Sequence, residues 1–99
     1  MSVDVLQSPA SIGKFCRARG ISRLCLFGSA AREDFDPSRS DLDLLVEYEP
    51  GRHPGLDHFR IAEEFSEFFG RAVDLNTPPM LGRLLAKVRQ EAIVLYDQD

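Results

Sequence analysis

The sequence predicts a small α/β domain in which helices pack on one mixed β-sheet. Three observations lead there. Two short apolar runs, residues 21–27 (ISRLCLF) and 41–48 (DLDLLVEY), have the length and composition of buried strands. Segments with helical apolar spacing alternate with such runs, giving the order αβ(α)βαβαβ. The link between the first two strands is too short for an ordinary helical crossover, so those strands cannot be plain parallel neighbours.

Each element has its own signals. Ser8-Pro9 reads as an N-cap followed by proline in the first helical turn, and Ile12, Phe15 and Cys16 supply an apolar face. Gly20 is suited to stop that helix. The first strand, residues 21–27, ends at Gly28-Ser29, and residues 30–32 allow one helical turn. The stretch EDFDPSRS, residues 33–40, is rich in turn formers and predicts a loop. A second strand follows over residues 41–48, then a loop, EPGRHPG. Apolar residues at 56, 59, 61, 62, 65, 68 and 69 predict a helix closed by Gly70. Residues 72–75 predict a third strand around Asp74. Thr77 and Pro78-Pro79 open a long last helix with Leu81, Leu84, Leu85 and Val88 on one face. Residues 92–96 predict a fourth strand at a sheet edge.

Composition narrows the function. The 99 residues suffice for one core, so one domain over residues 1–99 is expected. Sixteen acids against twelve bases give a net charge of −4, which argues against a chain that grips a nucleic-acid backbone. No apolar run approaches the ~20 residues of a membrane span, and the N-terminus has no secretion signal. Cys16 and Cys25 lack metal-type or CxxC spacing. These features predict a cytoplasmic protein with reduced thiols and no membrane association.

Acids on an otherwise apolar strand carry the chemistry. Asp41 and Asp43 are two residues apart, so they share one face while Leu42 and Leu44 turn into the core. Neighbouring carboxylates repel one another, and a cation between them removes that repulsion. Asp74, between Val73 and Leu75, is a third candidate. Convergent carboxylates suit Mg²⁺, which completes its shell with water and substrate phosphate. Gly28 permits close backbone approach, and Ser29 adds a hydroxyl beside backbone amides where a helical turn starts, an anion site. Arg32 or Arg39 could neutralise further phosphate charge. Acids for metal beside a Gly-Ser turn for phosphate form a constellation for metal-assisted nucleotidyl transfer.

Other residues read more plainly. His53 and His58 read first as solvated loop histidines, because no third ligand lies near them in sequence, with metal binding by the pair the lesser alternative. Phe65, Phe68 and Phe69 predict core packing. Arg83, Lys87 and Arg89 predict a solvated helix face.

The pattern FGSAAR…SDLDLLVEYEP…GLDHF…EEFSEFFGRAVDLNTP resembles the minimal nucleotidyltransferases of the DNA polymerase beta superfamily, the small antitoxin partners of HEPN-domain toxins. The likeness runs over nearly the whole chain. It implies the polymerase-beta palm-like fold and ATP as substrate. Gly28, Ser29, Arg32 and Ser40 are then the nucleotide-binding candidates. Asp41, Asp43 and Asp74 become the catalytic and metal-binding ones, with two Mg²⁺ ions expected. It further implies that Asp74 acts as base toward the acceptor hydroxyl, and that AMP passes from ATP to a tyrosine of the cognate HEPN toxin. Two departures stand out: Glu33 follows the arginine where the family commonly has glycine, and the eleven residues between Ser29 and Asp41 are one more than usual. Two other functions compete: a binding antitoxin whose transferase site is a relic, and transfer to a small molecule such as an aminoglycoside. Homo- or hetero-oligomers are compatible with all three.

Overall fold

The computed structural model describes residues 8–28, 41–52 and 54–98. Helix α1 spans Pro9–Ala18, and strand β1 spans Ile21–Phe27. Strand β2 runs Leu42–Tyr48, helix α2 Asp57–Phe69 and strand β3 Val73–Asn76. Helix α3, Pro78–Leu81, passes through a 3₁₀ turn, Gly82–Leu84, into α4, Leu85–Glu91, and strand β4, Ile93–Asp97, follows. The sheet order is β3-β2-β1-β4. β1 pairs antiparallel with β2 and with β4, while β2 pairs parallel with β3. The sheet is therefore mixed, as the short first link predicts.

Helix ends follow local chemistry. The Ser8 hydroxyl accepts from the Ser11 amide at 3.2 Å, which satisfies one orphan donor at the start of α1. Gly70 closes α2 with a φ of 72°, a left-handed conformation that glycine adopts without a side-chain penalty.

Strand alternation divides the core between two faces. Leu42, Leu44 and Val46 of β2 join Leu24, Leu26, Ile12, Cys16, Ile61, Phe65 and Leu75 on the face that carries α1 and α2. Leu45 goes the other way and packs with Cys25 and Val88, against Leu81 and Leu85. Asp43, adjacent to Leu44 in a strand of period 2, shares the second face with Leu45. Both cysteines are free and buried. Burial pushes the Cys16 thiol up to about 12, so it stays protonated and chemically quiet. No helix among the described residues is long and apolar enough to cross a membrane.

Several expectations are corrected. Asp41 precedes β2 rather than opening it, and β3 runs one residue later than predicted at both ends. The last helix is not continuous: Gly82 has a φ of 52°, outside α geometry, and splits it. Leu84 consequently turns outward and is 60% exposed. Leu56, which precedes α2, and Phe59 within it lie off the core at 85% and 66% exposure, so the buried stripe is narrower than the apolar pattern. His58, predicted to be solvated, is 8% exposed and fully hydrogen-bonded. His53 and the expected helical turn and loop over residues 30–40 lie outside the described residues.

Candidate active site

The parallel register of β2 with β3 makes Asp43 and Asp74 direct partners across two neighbouring strands. On the other side of β2, Asp43 is the partner of Phe27, the last residue of β1. The chain then turns at Gly28, which has a φ of 73°. A side chain at Gly28 would overlap the Asp43 carboxylate. Glycine here therefore does two things: it adopts a left-handed backbone, and it leaves room for an acid. Asp41 sits one residue before β2, exposed, and Asp74 is exposed on the edge strand.

The electrostatics identify Asp43 as the focal acid. Its carboxyl is raised above the ordinary value of 3.8, first by partial burial, then by the Asp74 charge, then by Asp41. Asp43 thus feels two further acids, and a cation beside it would relieve both the burial penalty and the repulsion. Oxygen donors of this kind fit Mg²⁺, which is held through one or two carboxylates together with substrate phosphate. Among the described residues, no three His, Cys, Asp or Glu side chains are gathered into a ligand cluster. Asp41 and Asp43, on the turn and strand beside Gly28, are the pair best suited to share an ion with a phosphate.

Of the residues expected at this site, the structure sets Asp43 against Gly28 and in register with Asp74, with Asp41 near enough to raise the Asp43 carboxyl. Ser29, Arg32, Arg39 and Ser40 lie outside the described residues. The sequence reading took His58 as solvated and passed over Ser66, yet both side chains of α2 reach β3, on the two sides of Asp74. His58 Nε2 bonds the Leu75 carbonyl at 3.0 Å, and the Val73 amide donates to Ser66 Oγ at 3.1 Å. A histidine and a serine about two helical turns apart, before a strand that carries an acid, were the available signal. A groove of about 510 Å³, lined by Tyr48, Phe59, Pro79 and Met80, opens at the opposite ends of β2 and β3, away from the acids.

Carboxylates presented from adjacent parallel strands, beside a left-handed glycine that ends the next strand, suit the class of nucleotide-transferring proteins. The chain belongs to the nucleotidyltransferase domain family, whose profile matches residues 10–96. Solved structures agree. One described as a minimal nucleotidyltransferase is 37% identical, with a TM-score of 0.70 and 86% of each chain covered. A toxin–antitoxin complex with AMP-PNP is 18% identical, with a TM-score of 0.73, over 92% of this chain and 74% of that one. A complex of tri-AMPylated Shewanella oneidensis HEPN toxin with MNT antitoxin is 17% identical, with a TM-score of 0.65, over 90% of this chain and 69% of that one. The last two share the fold. No curated protein matches the chain.

Proposed function

We propose that this protein is an antitoxin that transfers AMP from ATP to a tyrosine of a HEPN-type toxin. The observation that carries the reading is the in-register pair Asp43–Asp74 beside Gly28, with Asp41 close enough to raise the Asp43 carboxyl. The two neighbours of similar fold, one with an ATP analogue and one with an AMPylated toxin, support the choice of substrate and partner.

In this reading, Gly28 keeps the backbone low enough for the triphosphate to reach Asp43, with Ser29, Arg32 and Ser40 completing the nucleotide contacts. Asp41 and Asp43 would hold Mg²⁺, which shields the charge that builds on the pyrophosphate leaving group. Asp74 takes the proton from the acceptor phenol. The phenolic oxygen forms a bond to the α-phosphorus of ATP, the bond from that phosphorus to the bridging oxygen breaks, and pyrophosphate departs. The product is an AMP ester of tyrosine, whose negative charge and bulk would block a basic RNA-cutting site.

The test is incubation with ATP, Mg²⁺ and the HEPN-type protein encoded beside this one, followed by mass spectrometry. A gain of one or more AMP units on a toxin tyrosine, absent with Asp41→Asn/Asp43→Asn, is the expected result. A stable complex without any mass gain would mean that the protein neutralises by binding alone.

A further inference from the structure

Strand β3 is an edge strand of four residues, yet it carries the third acid of the candidate site. Among the described residues, β2 is its only strand partner, on one side. The Leu42 amide bonds the Ala72 carbonyl at 3.0 Å, so backbone groups of alternate residues from Ala72 face β2. Those of Val73 and Leu75 face the open edge, where a short strand ordinarily frays or recruits another chain. Here one backbone group of each is bonded by a side chain of one helix. The Val73 amide donates to Ser66 Oγ at 3.1 Å, and the Ser66 hydroxyl in turn donates to the Ala62 carbonyl at 3.2 Å. The Leu75 carbonyl accepts from His58 Nε2 at 3.0 Å.

The histidine is itself held. A carbonyl can only accept, so in the neutral ring Nε2 carries the proton and Nδ1 is the acceptor. The Tyr48 hydroxyl donates to that Nδ1 at 3.2 Å, and burial pushes Tyr48 up to about 12, so it keeps its proton. Tyr48 ends β2. The chain Tyr48–His58–Leu75 therefore ties the end of β2, the first turn of α2 and the edge of β3 into one unit. Ser66 makes the second tie, and Asp74 lies between the two.

We propose that His58 and Ser66 are positioning residues that clamp β3 from its open edge and so hold Asp74 opposite Asp43. The proposal rests on the reading that Asp74 serves nucleotidyl transfer. A side chain on an exposed two-sided edge would wander by an ångström or more, and a misplacement of that size can lower turnover by about a hundredfold. The clamp bonds backbone rather than Asp74 itself, which leaves that carboxylate free to meet the acceptor.

The test is steady-state AMP transfer to the HEPN-type toxin by the full chain. Ser66→Ala lowers kcat by about tenfold and leaves KM for MgATP unchanged, because Gly28, Asp41 and Asp43 are untouched. Ser66→Thr, which keeps the hydroxyl, restores kcat. His58→Ala lowers kcat at least as far, and His58→Gln, whose amide can donate to Leu75, recovers part of it. Added to Asp74→Asn, Ser66→Ala produces no further loss, since the acid it positions is already gone. Wild-type kcat in both Ser66→Ala and His58→Ala, alongside an impaired Asp74→Asn, would overturn the clamp and leave the transferase reading intact. So would losses that multiply with Asp74→Asn. A wild-type protein that transfers nothing would overturn the reading and the clamp's catalytic purpose together.

Discussion

At the scale of single residues, Gly28 and Asp43 constrain each other. Gly28→Ala adds a Cβ onto the Asp43 carboxylate while forcing a side chain into a φ of 73°. It should cost about 1 kcal/mol or more of stability, read in denaturant melts, and lower AMP transfer by about a hundredfold. Asp43 itself works against the fold. Its carboxyl is raised by burial and by Asp74 and Asp41, so the folded state binds its proton more tightly than the unfolded state does. The stability this confers is complete below the ordinary carboxylate range and is lost as pH rises through the raised value. Asp43→Asn should therefore raise Tm by about 2–4 °C near pH 7, allowing for water around a half-buried group, and by nothing near pH 3. A variant that is more stable yet inactive would be the mark of a functional acid. The face that Asp43 takes was legible in the sequence because a strand has a period of two; Asp41, one residue before β2, lies outside that rule. His58 was not, since its burial depends on β3 and Tyr48, both distant along the chain.

At the scale of elements, the division between α3 and α4 shows what local pattern can miss. The spacing Leu81, Leu84, Leu85, Val88 suits one helix, but the positive φ at Gly82 turns the chain between them. Gly82→Ala should destabilise by about 1 kcal/mol in chemical denaturation, although a Cβ there meets nothing within 4 Å. A gain in stability would show that the continuous helix implied by the apolar spacing is accessible after all. The strands, by contrast, were readable to within one residue, because each is a short apolar run bounded by turn formers. The pairing of β2 with β3 was not readable. Nothing in either strand states that Asp43 and Asp74 share a register, and that alignment is set by α2 returning the chain alongside β2. The same helix narrows its own buried face, leaving Leu56 and Phe59 outside a core that Ile61 and Phe65 fill.

At the scale of the whole molecule, sheet order and charge act together. Placing β2 between β1 and β3 brings the glycine turn and the acids to one end of the sheet. The acidic balance of the chain, −4 overall, would favour encounter with a basic partner. Association with the proposed toxin should slow by about tenfold or more between low and high salt, measured by stopped-flow mixing. A salt-independent rate would show that charge does not guide the meeting. The most direct measurement follows label from ATP to the toxin across a Mg²⁺ titration, with the label on either the α- or the γ-phosphate. The account predicts that only α-label reaches the toxin, that transfer rises with Mg²⁺ to a plateau, and that Asp41→Asn/Asp43→Asn shows none at any concentration. Equal transfer by the double variant, or transfer of the γ-label, would contradict it.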